Sequence, residues 1–364
     1  MLGQESVGIS SDKVEAWITL AGGQVAPVSF QLAKGPIAPF SVAPWAEEGL
    51  DLPMILKALR GDFFCMPFGG NDEPYGTEKY PIHGETANST WTIESQEASE
   101  VRMSLDTVIR KGHVNKKVWV IPGETAIYQR HTVSGMNGPM CFGHHAMLKF
   151  KTCGFVSLAP FEFGQVFPGQ FEDPVIGGYS SLKPGAQFSS LDSVPANDGT
   201  KSDLTVYPAR EGFEDLVMVY ARRDADFGWT AVHFPEEGYI WFSLKDPRIL
   251  SGTVMWHSNG GRHYSPWSGR HRGILGLEEV TSSFHWGLSG SAARSDAGDA
   301  GFRTTIELNP ELPLVVNTIM GVCPADGFVG HVTRVEKGAE GVRLFDAKGH
   351  SISVQLQIDQ LYGS

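Results

Sequence analysis

The stretch HRGILGLEEVTSSFHWG, residues 271–287, contains a short apolar run that ends on two adjacent carboxylates. Residues 274–277 read Ile, Leu, Gly and Leu, and Glu278 and Glu279 follow directly. A short apolar run bounded by turn-forming residues is typical of a buried strand. Successive side chains of a strand point to opposite faces, so the two acids need not share a site. Either both lie at a solvated strand end, or one lies in a pocket and transfers protons.

Strand patterns recur along most of the chain outside this stretch. Residues 114–135 and 342–356 each predict a hairpin, because β-rich segments flank a turn of Gly, Pro or polar residues. Residues 215–244 contain three successive strand patterns and predict a meander. Only residues 51–62, closed by Gly61, have the apolar spacing of a short helix. The pattern predicts an all-β fold: a large antiparallel double-sheet sandwich of more than a dozen strands, with little helix.

No segment has the composition of an interdomain linker, so we expect one domain over residues 1–364. Two long connections, residues 163–187 and 288–301, are rich in Gly, Pro or small polar residues. In a β fold such loops tend to line or cover a site.

The composition limits the classes of partner. The chain has 29 basic and 41 acidic residues, a net charge of −12, which argues against a nucleic-acid backbone or an anionic membrane as partner. The four cysteines are far apart and predict free thiols. The N-terminus lacks the pattern of a signal peptide, and no apolar run is long enough to span a membrane, so a cytoplasmic protein is the expectation.

Three clusters contain residues that could carry chemistry. The first, residues 62–91, is loop-like and ends on His83-Gly84 with Trp91 beyond it; alone, His83 is more simply a surface residue. The second, residues 141–150, has adjacent histidines at 144 and 145, which a strand sends to opposite faces. A lone histidine on a sheet is more often a packed core residue than a catalyst.

The third cluster, residues 255–287, surrounds the two acids with aromatic rings and imidazoles. Aromatic faces stack on the C–H faces of a sugar, while polar groups bind its hydroxyls, so this composition predicts a carbohydrate site. The residues concerned are Trp256, His257, Tyr264, Trp267, His271 and Trp286.

Other chemistries fit less well. A zinc site built from His257, His263 and His271 has no established ligand spacing, so we predict no metal. The chain has no G-x-S-x-G nucleophile motif and no phosphate-binding loop with its lysine.

In this order the clusters resemble the galactose mutarotase-like superfamily, the aldose 1-epimerases and their relatives. The resemblance covers roughly residues 13–358 and rests on four short motifs with an opening pair of strands around Gly22-Gly23. The motifs are residues 67–71 (PFGGN), His83-Gly84 with Trp91, residues 145–150 (HAMLKF) and residues 275–278 (LGLE). It implies a large antiparallel β-supersandwich.

The resemblance also implies a function, the interconversion of sugar anomers without a cofactor. Mutarotation takes one proton from the anomeric hydroxyl and delivers one to the ring oxygen, which a carboxylate and an imidazole on opposite sides of the sugar can do. By resemblance Glu278 is the base and His145 the acid, with His83 bonded to the ring oxygen or a neighbouring hydroxyl. Glu279 is then expected on the outer face of the strand.

The remaining predicted sugar-binding residues complete the expected site. Where the best-known mutarotases have a sugar-binding arginine in the first loop, this chain has Asn71, with Arg60 nearby in sequence. The full set of predicted binding residues is His83, Asn71, Arg60, Trp256, His257 and Trp267. The expected partner is a monosaccharide or a sugar derivative.

Two alternatives stay open at this stage. A non-catalytic carbohydrate-binding protein on the same scaffold would keep the aromatic platform of Trp256, Trp267 and Trp286 but separate Glu278 from His145. A sugar-phosphate 1-epimerase would need several cations converging on the cleft. The candidates for those cations are Arg60, Arg262, Arg270 and Arg272.

Overall fold

The computed structural model describes residues 1–222 and 224–363. About 45% of the chain is strand and 8% is helix, in several antiparallel sheets, so the prediction of an all-β fold with little helix is confirmed. The organisation as one domain over residues 1–364 stays a prediction. Within the described ranges, no helix combines the length and the apolar character that crossing a membrane requires.

The regular structure in the first half of the chain is mostly strand. Its strands are β1 Ser6–Ser10, β2 Val14–Thr19, β3 Val25–Leu32, β4 Gly35–Ile37, β5 Phe64–Cys65, β6 Thr92–Gln96, β7 Glu100–Thr107, β8 Gly112–Val120, β9 Ala126–Ser134, β10 Gly138–Met140, β11 Phe142–His144, β12 Ala146–Lys149, β13 Gly154–Leu158 and β14 Phe161–Val166. Two short helices interrupt them, α1 Met54–Ala58 and α2 Gly84–Asn88. Helix α1 lies inside the segment that the sequence predicts as helical.

The second half continues the pattern. Its strands are β15 Gln187–Phe188, β16 Val194–Pro195, β17 Lys201–Ser202, β18 Val206–Tyr207, β19 Glu214–Ala221, β20 Gly228–Phe234, β21 Tyr239–Lys245, β22 Gly252–Ser258, β23 Ile274–Thr281, β24 Ile306–Leu308, β25 Leu314–Pro324, β26 Arg334–Lys337, β27 Gly341–Phe345 and β28 Ser351–Gln355. The helices are α3 Gly287–Ala292 and α4 Asp296–Asp299, with 3-10 turns at Pro174–Ile176, Leu191–Ser193 and Ile358–Leu361.

Two large sheets dominate the fold. The eight-stranded sheet, called here the site sheet, has the order β15-β14-β19-β22-β23-β11-β5, with β12 also paired to β23. The nine-stranded sheet, the back sheet, has the order β18-β13-β20-β21-β25-β9-β8-β7-β6. Strands β1–β4 form an N-terminal four-stranded sheet, and β26–β28 form a C-terminal three-stranded sheet.

Both predicted hairpins are present, as β8/β9 and β27/β28. The predicted meander over residues 215–244 is wrong in its first strand. β19 pairs with β14 and β22 in the site sheet, whereas β20 and β21 pair in the back sheet. All of β20 and β21 and nearly all of β19 are buried, so their apolar patterns are alike and do not specify which sheet each strand joins.

The site sheet is buried on both faces. Leu275 and Leu277 of β23 belong to the main core cluster, which also contains Trp241 and Val322 of the back sheet. The alternate residues of the site sheet point the other way, into a second cluster that includes Met218, Val254, Trp256, Ile274 and Val280. Long loops cover this outer face, and the space between them and the strands contains the candidate site.

Candidate active site

A cavity of about 140 Å³ lies on the outer face of the site sheet. Its floor is formed by strand residues that alternation sends to this face: Leu216 of β19, Val254 and Trp256 of β22, and Glu278 of β23. His145, between β11 and β12, completes the floor. The walls are formed by side chains of the covering segments, namely Pro53, Ile55, Leu56, Leu59, Phe63, Phe68, Ile82, His83, Phe171, Arg262, Trp267 and His285. The cavity is therefore mainly apolar, with a few polar groups converging on it.

His145 and Glu278 meet at the floor of the cavity. The pairs Gly143↔Val280 and Ala146↔Leu277 bracket them, so the two residues occupy facing positions on neighbouring antiparallel strands. His145 Nε2 lies 3.4 Å from Glu278 Oε1. The two groups are side by side, rather than on opposite sides of a ligand as the resemblance implies.

The His145 ring is held by stacking. Phe63 lies parallel to it, with centroids 4.7 Å apart and an interplanar angle of 14°. The Phe63 carbonyl accepts a hydrogen bond from the His145 backbone N–H at 2.9 Å. Nδ1 of His145 is buried without a partner among the described residues. Stacking therefore orients the ring while leaving Nε2 available at the cavity.

Burial shifts both groups toward their neutral forms. Removal from water raises the pKa of Glu278 well above its usual value of 4.5. The same desolvation, as the largest cause, lowers the pKa of His145 to about 3. Both shifts therefore favour a carboxylic acid beside a neutral imidazole. One of the two can donate a proton and the other can accept one.

Two further imidazoles line the same cavity. The His83 ring centroid lies 4.9 Å from that of His145 and 5.3 Å from that of His285. Desolvation lowers the pKa of His83 well below its usual value, and it lowers the pKa of His285 to about 4. The shifts favour neutral, hydrogen-bonding forms of both rings, which contact each other at the cavity wall.

Asn71 fastens the loops that carry these rings and does not line the cavity. Its Nδ2 donates to the carbonyl oxygens of Pro67, Gly69 and Pro81 at 3.1–3.2 Å. Its Oδ1 accepts from the N–H of Leu288 at 3.0 Å. The backbone of Asn71 has φ +56°, a left-handed conformation in which asparagine is enriched. The residue therefore joins the first loop to the segments that bear His83 and His285.

Trp256 and Trp267 both line the cavity, as the sequence predicts. The indole Nε1 of Trp256 donates to Glu214 Oε2 at 3.0 Å, which fixes the orientation of the ring. Glu214 also accepts from Ser258 Oγ and from the Gly261 N–H at 3.0 and 3.1 Å. Burial raises the pKa of Glu214 to about 7. The aromatic wall is therefore supported from behind by a buried carboxyl group.

Arg262 enters the cavity from the loop after β22. Its Nε donates to Glu172 Oε1 at 2.7 Å, and the guanidinium carbon lies 4.6 Å from the Trp267 ring centre and 5.2 Å from that of Trp256. Glu172 belongs to the loop over residues 163–187, for which the sequence predicts a place at the site. Phe171 of the same loop lines the cavity, whereas none of residues 288–301 does.

Arg60 and His257 lie elsewhere. The guanidinium of Arg60 donates to the carbonyl oxygens of Ala58, Met1 and Leu2, so it holds the N-terminus against the end of α1. His257 is on the inter-sheet side of β22, 5.6 Å from the Tyr207 ring, and its two ring nitrogens have no partner in the described chain. Neither side chain lines the cavity.

Three other predictions can be compared with the structure. Trp286 packs on Phe167 at a centroid distance of 4.5 Å and lies outside the cavity lining. No group of three or more histidine, cysteine or acidic side chains in the described ranges could hold a metal ion. Arg270 pairs with Glu48 and Arg272 with Glu211, so Arg262 is the one arginine of the phosphate alternative that lines the cavity.

Glu279 is not on a solvated outer face, and that expectation is wrong. It is fully buried between the sheets, where it forms an ion pair with Lys245 and accepts hydrogen bonds from Thr230 and Thr253. The Lys245 ammonium also donates to the Gly252 carbonyl oxygen. Other parts of the protein cover both faces of the site sheet, so each of the two acids points into the interior.

Several residues that shape the site are not among those predicted from the sequence. They are His285, Phe63, Phe68, Phe171, Glu172 and Glu214. One feature of the sequence indicates His285: it follows the two acids by a few residues, within residues 271–287. The three phenylalanines and Glu172 lie in segments that the sequence marks as candidates, but nothing in the sequence singles out these side chains or Glu214, because their partners are distant in sequence.

Comparison with solved structures agrees with this architecture. Neither a protein-family model nor a curated protein sequence matches the chain. A candidate aldose 1-epimerase from Escherichia coli K12 is similar with a TM-score of 0.61 and 11% identity, over 88% of this chain and 99% of that one. A galactose mutarotase related enzyme from Lactobacillus acidophilus has a TM-score of 0.58 and 13% identity, over 88% and 97%.

A third structure, a galactose mutarotase-like protein from Lactobacillus casei, has a TM-score of 0.57 at 10% identity and covers 88% of this chain and all of its own. Identities this low bear on the fold and not on the activity. The chain has the galactose mutarotase-like fold.

Proposed function

We propose that this protein is an aldose 1-epimerase that interconverts the anomers of a monosaccharide. The observation that carries the proposal is the side-by-side pair of His145 and Glu278, 3.4 Å apart at the floor of the cavity. Trp256 and Trp267 in the same cavity suit the C–H faces of a sugar ring. The imidazoles of His83 and His285 suit its hydroxyl groups.

The arrangement fits the proton transfers that mutarotation requires. The anomeric hydroxyl and the ring oxygen are bonded to the same carbon, so two adjacent groups can reach both. With both groups neutral, His145 Nε2 takes the proton of the anomeric hydroxyl and Glu278 delivers its proton to the ring oxygen as the carbon–ring oxygen bond breaks. Rotation about the next carbon–carbon bond turns the aldehyde over.

Ring closure reverses both transfers. The hydroxyl formed from the ring oxygen attacks the aldehyde carbon and returns its proton to Glu278, while the His145 imidazolium protonates the new anomeric oxygen. The pair ends as it began, and no other group is consumed. The resemblance assigns Glu278 as the base and His145 as the acid. The pKa directions favour the opposite assignment for ring opening, and a reversible reaction uses each group in both roles.

The alternatives have less support. A non-catalytic carbohydrate-binding protein would separate the acid from the imidazole, but here the two are in contact. A sugar-phosphate epimerase would need several cations, whereas a single arginine of the described chain lines the cavity.

The test is anomer exchange measured by NMR saturation transfer across a panel of aldoses. We expect wild-type protein to accelerate exchange of at least one aldose, and Glu278→Gln to reduce that acceleration by roughly 10²- to 10⁴-fold. Glu279→Gln is the matched control, since it changes the adjacent carboxylate outside the cavity. It should retain activity per folded molecule, with folding checked by circular dichroism. If no aldose responds to the wild-type protein, the proposal fails.

A further inference from the structure

Arg262 is the only arginine or lysine of the described chain that lines the cavity. Its Nε is engaged by Glu172 Oε1 at 2.7 Å, while Glu172 Oε2 accepts from the Tyr264 hydroxyl at 3.1 Å. No described residue accepts a hydrogen bond from the terminal nitrogens, Nη1 and Nη2. The guanidinium therefore keeps one edge bonded to the protein and leaves its terminal donors for another acceptor.

Aromatic rings hold this guanidinium in place. Its central carbon lies 4.6 Å from the Trp267 ring centre, 5.2 Å from that of Trp256 and 5.5 Å from that of Phe171. Such a cage restricts the side chain, so little rotational freedom is lost when a ligand binds. Planar donors fixed in this way match the two oxygens of a carboxylate.

Arg262 lines the same cavity as the reacting groups His145 and Glu278. Trp256 contacts both Arg262 and His145, whose ring centroid lies 5.9 Å from that of Trp256. Arg262 and His145 thus both lie against the Trp256 indole, and His145 is in contact with Glu278. One ligand that spans the cavity can engage both, with its anomeric carbon at the acid–imidazole pair and its other end at the arginine.

We propose that the substrate is a monosaccharide with a carboxylate, as in a hexuronic acid, and that Nη1 and Nη2 of Arg262 bind this carboxylate. This inference rests on the proposed function for its reaction, but the recognition of the anion by Arg262 is separable from catalysis. A tetrahedral phosphate fits less well, because phosphate sites usually gather several cations and this cavity has one.

Binding of an anion would also change the electrostatics of the acid–imidazole pair. The charge of Arg262 adds to desolvation in lowering the pKa values of His145 and His285. A ligand carboxylate bound beside Glu172 at Arg262 adds a further negative charge that opposes this effect, which makes His145 a better proton acceptor. The correct substrate would therefore assist the proton transfer that it undergoes.

The first experiment measures anomer exchange of glucuronate and galacturonate against glucose, galactose and glucose 6-phosphate. We expect the wild-type kcat/KM for the better uronate to exceed that for its neutral counterpart by at least about 10-fold. Arg262→Met should bring this ratio close to one, mainly through the KM of the uronate. A wild-type preference for the neutral sugar or for the phosphate would overturn the carboxylate assignment.

Two control variants test whether a loss of selectivity comes from misfolding. Glu172→Gln combined with Arg262→Met avoids leaving a buried carboxylate unpaired, and it should show the same loss of selectivity. Arg270→Met removes an arginine of the same loop that pairs with Glu48 and does not line the cavity, so it should keep the wild-type ratio. An unchanged ratio in folded Arg262→Met protein would also overturn the proposal.

The second experiment uses methyl glucuronoside and methyl glucoside, which have no anomeric hydroxyl and cannot mutarotate. NMR titration should give tighter binding of the uronoside, and Arg262→Met should abolish the difference. If the uronoside binds through Arg262 but no aldose or uronate exchanges, the proposed function fails and the anion site stands. If neutral aldoses exchange and the uronoside has no advantage, the anion site fails and the proposed function stands.

Discussion

His145 and Glu278 face each other across two adjacent antiparallel strands, with Nε2 and Oε1 3.4 Å apart. Their relative position is therefore set by the backbone ladder of the site sheet and not by a mobile loop. A proton-transfer pair held by regular structure needs little rearrangement before reaction. The covering loops then supply the groups that recognise the ligand.

The buried pair of Glu279 and Lys245 predicts a large effect on stability. Glu279→Gln leaves the Lys245 ammonium between the sheets without its charge partner, so we expect a loss of about 3–5 kcal/mol in the free energy of unfolding. Urea denaturation measures it. Replacing both partners, Lys245→Met with Glu279→Leu, should recover most of the loss, and a single variant as stable as wild type would contradict this account.

Glu278 predicts a pH-dependent stability of definite sign. Burial raises its pKa in the folded state, so the folded protein keeps a proton that the unfolded chain releases above its usual value of 4.5. The stabilisation is complete below that pH and is lost as the pH rises toward the folded-state pKa, at no more than about 1.4 kcal/mol per pH unit.

Glu278→Gln removes this titration. The stability of Glu278→Gln relative to wild type should therefore increase between pH 5 and pH 8, as measured by urea unfolding at each pH. Histidines with lowered pKa values contribute to both proteins, and their effects largely cancel in the difference. A difference that stays constant with pH would show that the Glu278 carboxyl group is not shifted by burial.

Gly276 predicts a specific loss of activity. A Cβ at this position would lie 2.6 Å from Glu278 Oε1 and 3.0 Å from Trp256 Cβ. The carboxylate is the end of a flexible side chain, so Gly276→Ala should displace it while the fold persists. We expect a roughly 10- to 100-fold loss in the rate of anomer exchange. The variant made on a Glu278→Gln background should show no further loss, and an equal additional loss there would place its effect elsewhere.

Asn71 predicts a positioning effect. Asn71→Gly retains the backbone freedom that φ +56° requires but removes four side-chain hydrogen bonds, two of which, to Pro81 and Leu288, reach the segments that bear His83 and His285. We expect a stability loss of about 2–4 kcal/mol and altered NMR shifts of both imidazoles. Asn309→Gly, in an exposed turn distant from the cavity, is the control. Unchanged imidazole shifts in Asn71→Gly would rule out the positioning role.

The sequence predicts the fold and the strand faces well because both follow from local patterns. Strand patterns that flank turns predict the two hairpins. The alternation of side chains along a strand predicts that Glu278 and Glu279, and likewise His144 and His145, point to opposite faces. In the structure His144 points between the sheets, where its Nδ1 lies 2.7 Å from Asp62, while His145 lines the cavity.

The sequence failed where a partner lies far along the chain. The missing side chain of Gly276 would suggest room for a ligand, but the space beside it is filled by the Glu278 carboxylate. Glu279 could not be recognised as an inner residue because its charge partner, Lys245, is on another strand of another sheet. The roles of Arg60 and Asn71 likewise depend on carbonyl oxygens brought to them by tertiary folding.

The adjacency of Glu278 and Glu279 also makes the alignment of β23 decisive for the site. A slip of one residue in this strand would exchange the two glutamates, sending Glu279 into the cavity and Glu278 toward the back sheet. Leu275 and Leu277 would leave the main core in the same movement. Because Lys245 would face a glutamate in either alignment, the ion pair does not distinguish the two. The packing of Leu275 and Leu277 in the main core therefore determines which of the two neighbouring acids is presented to the ligand.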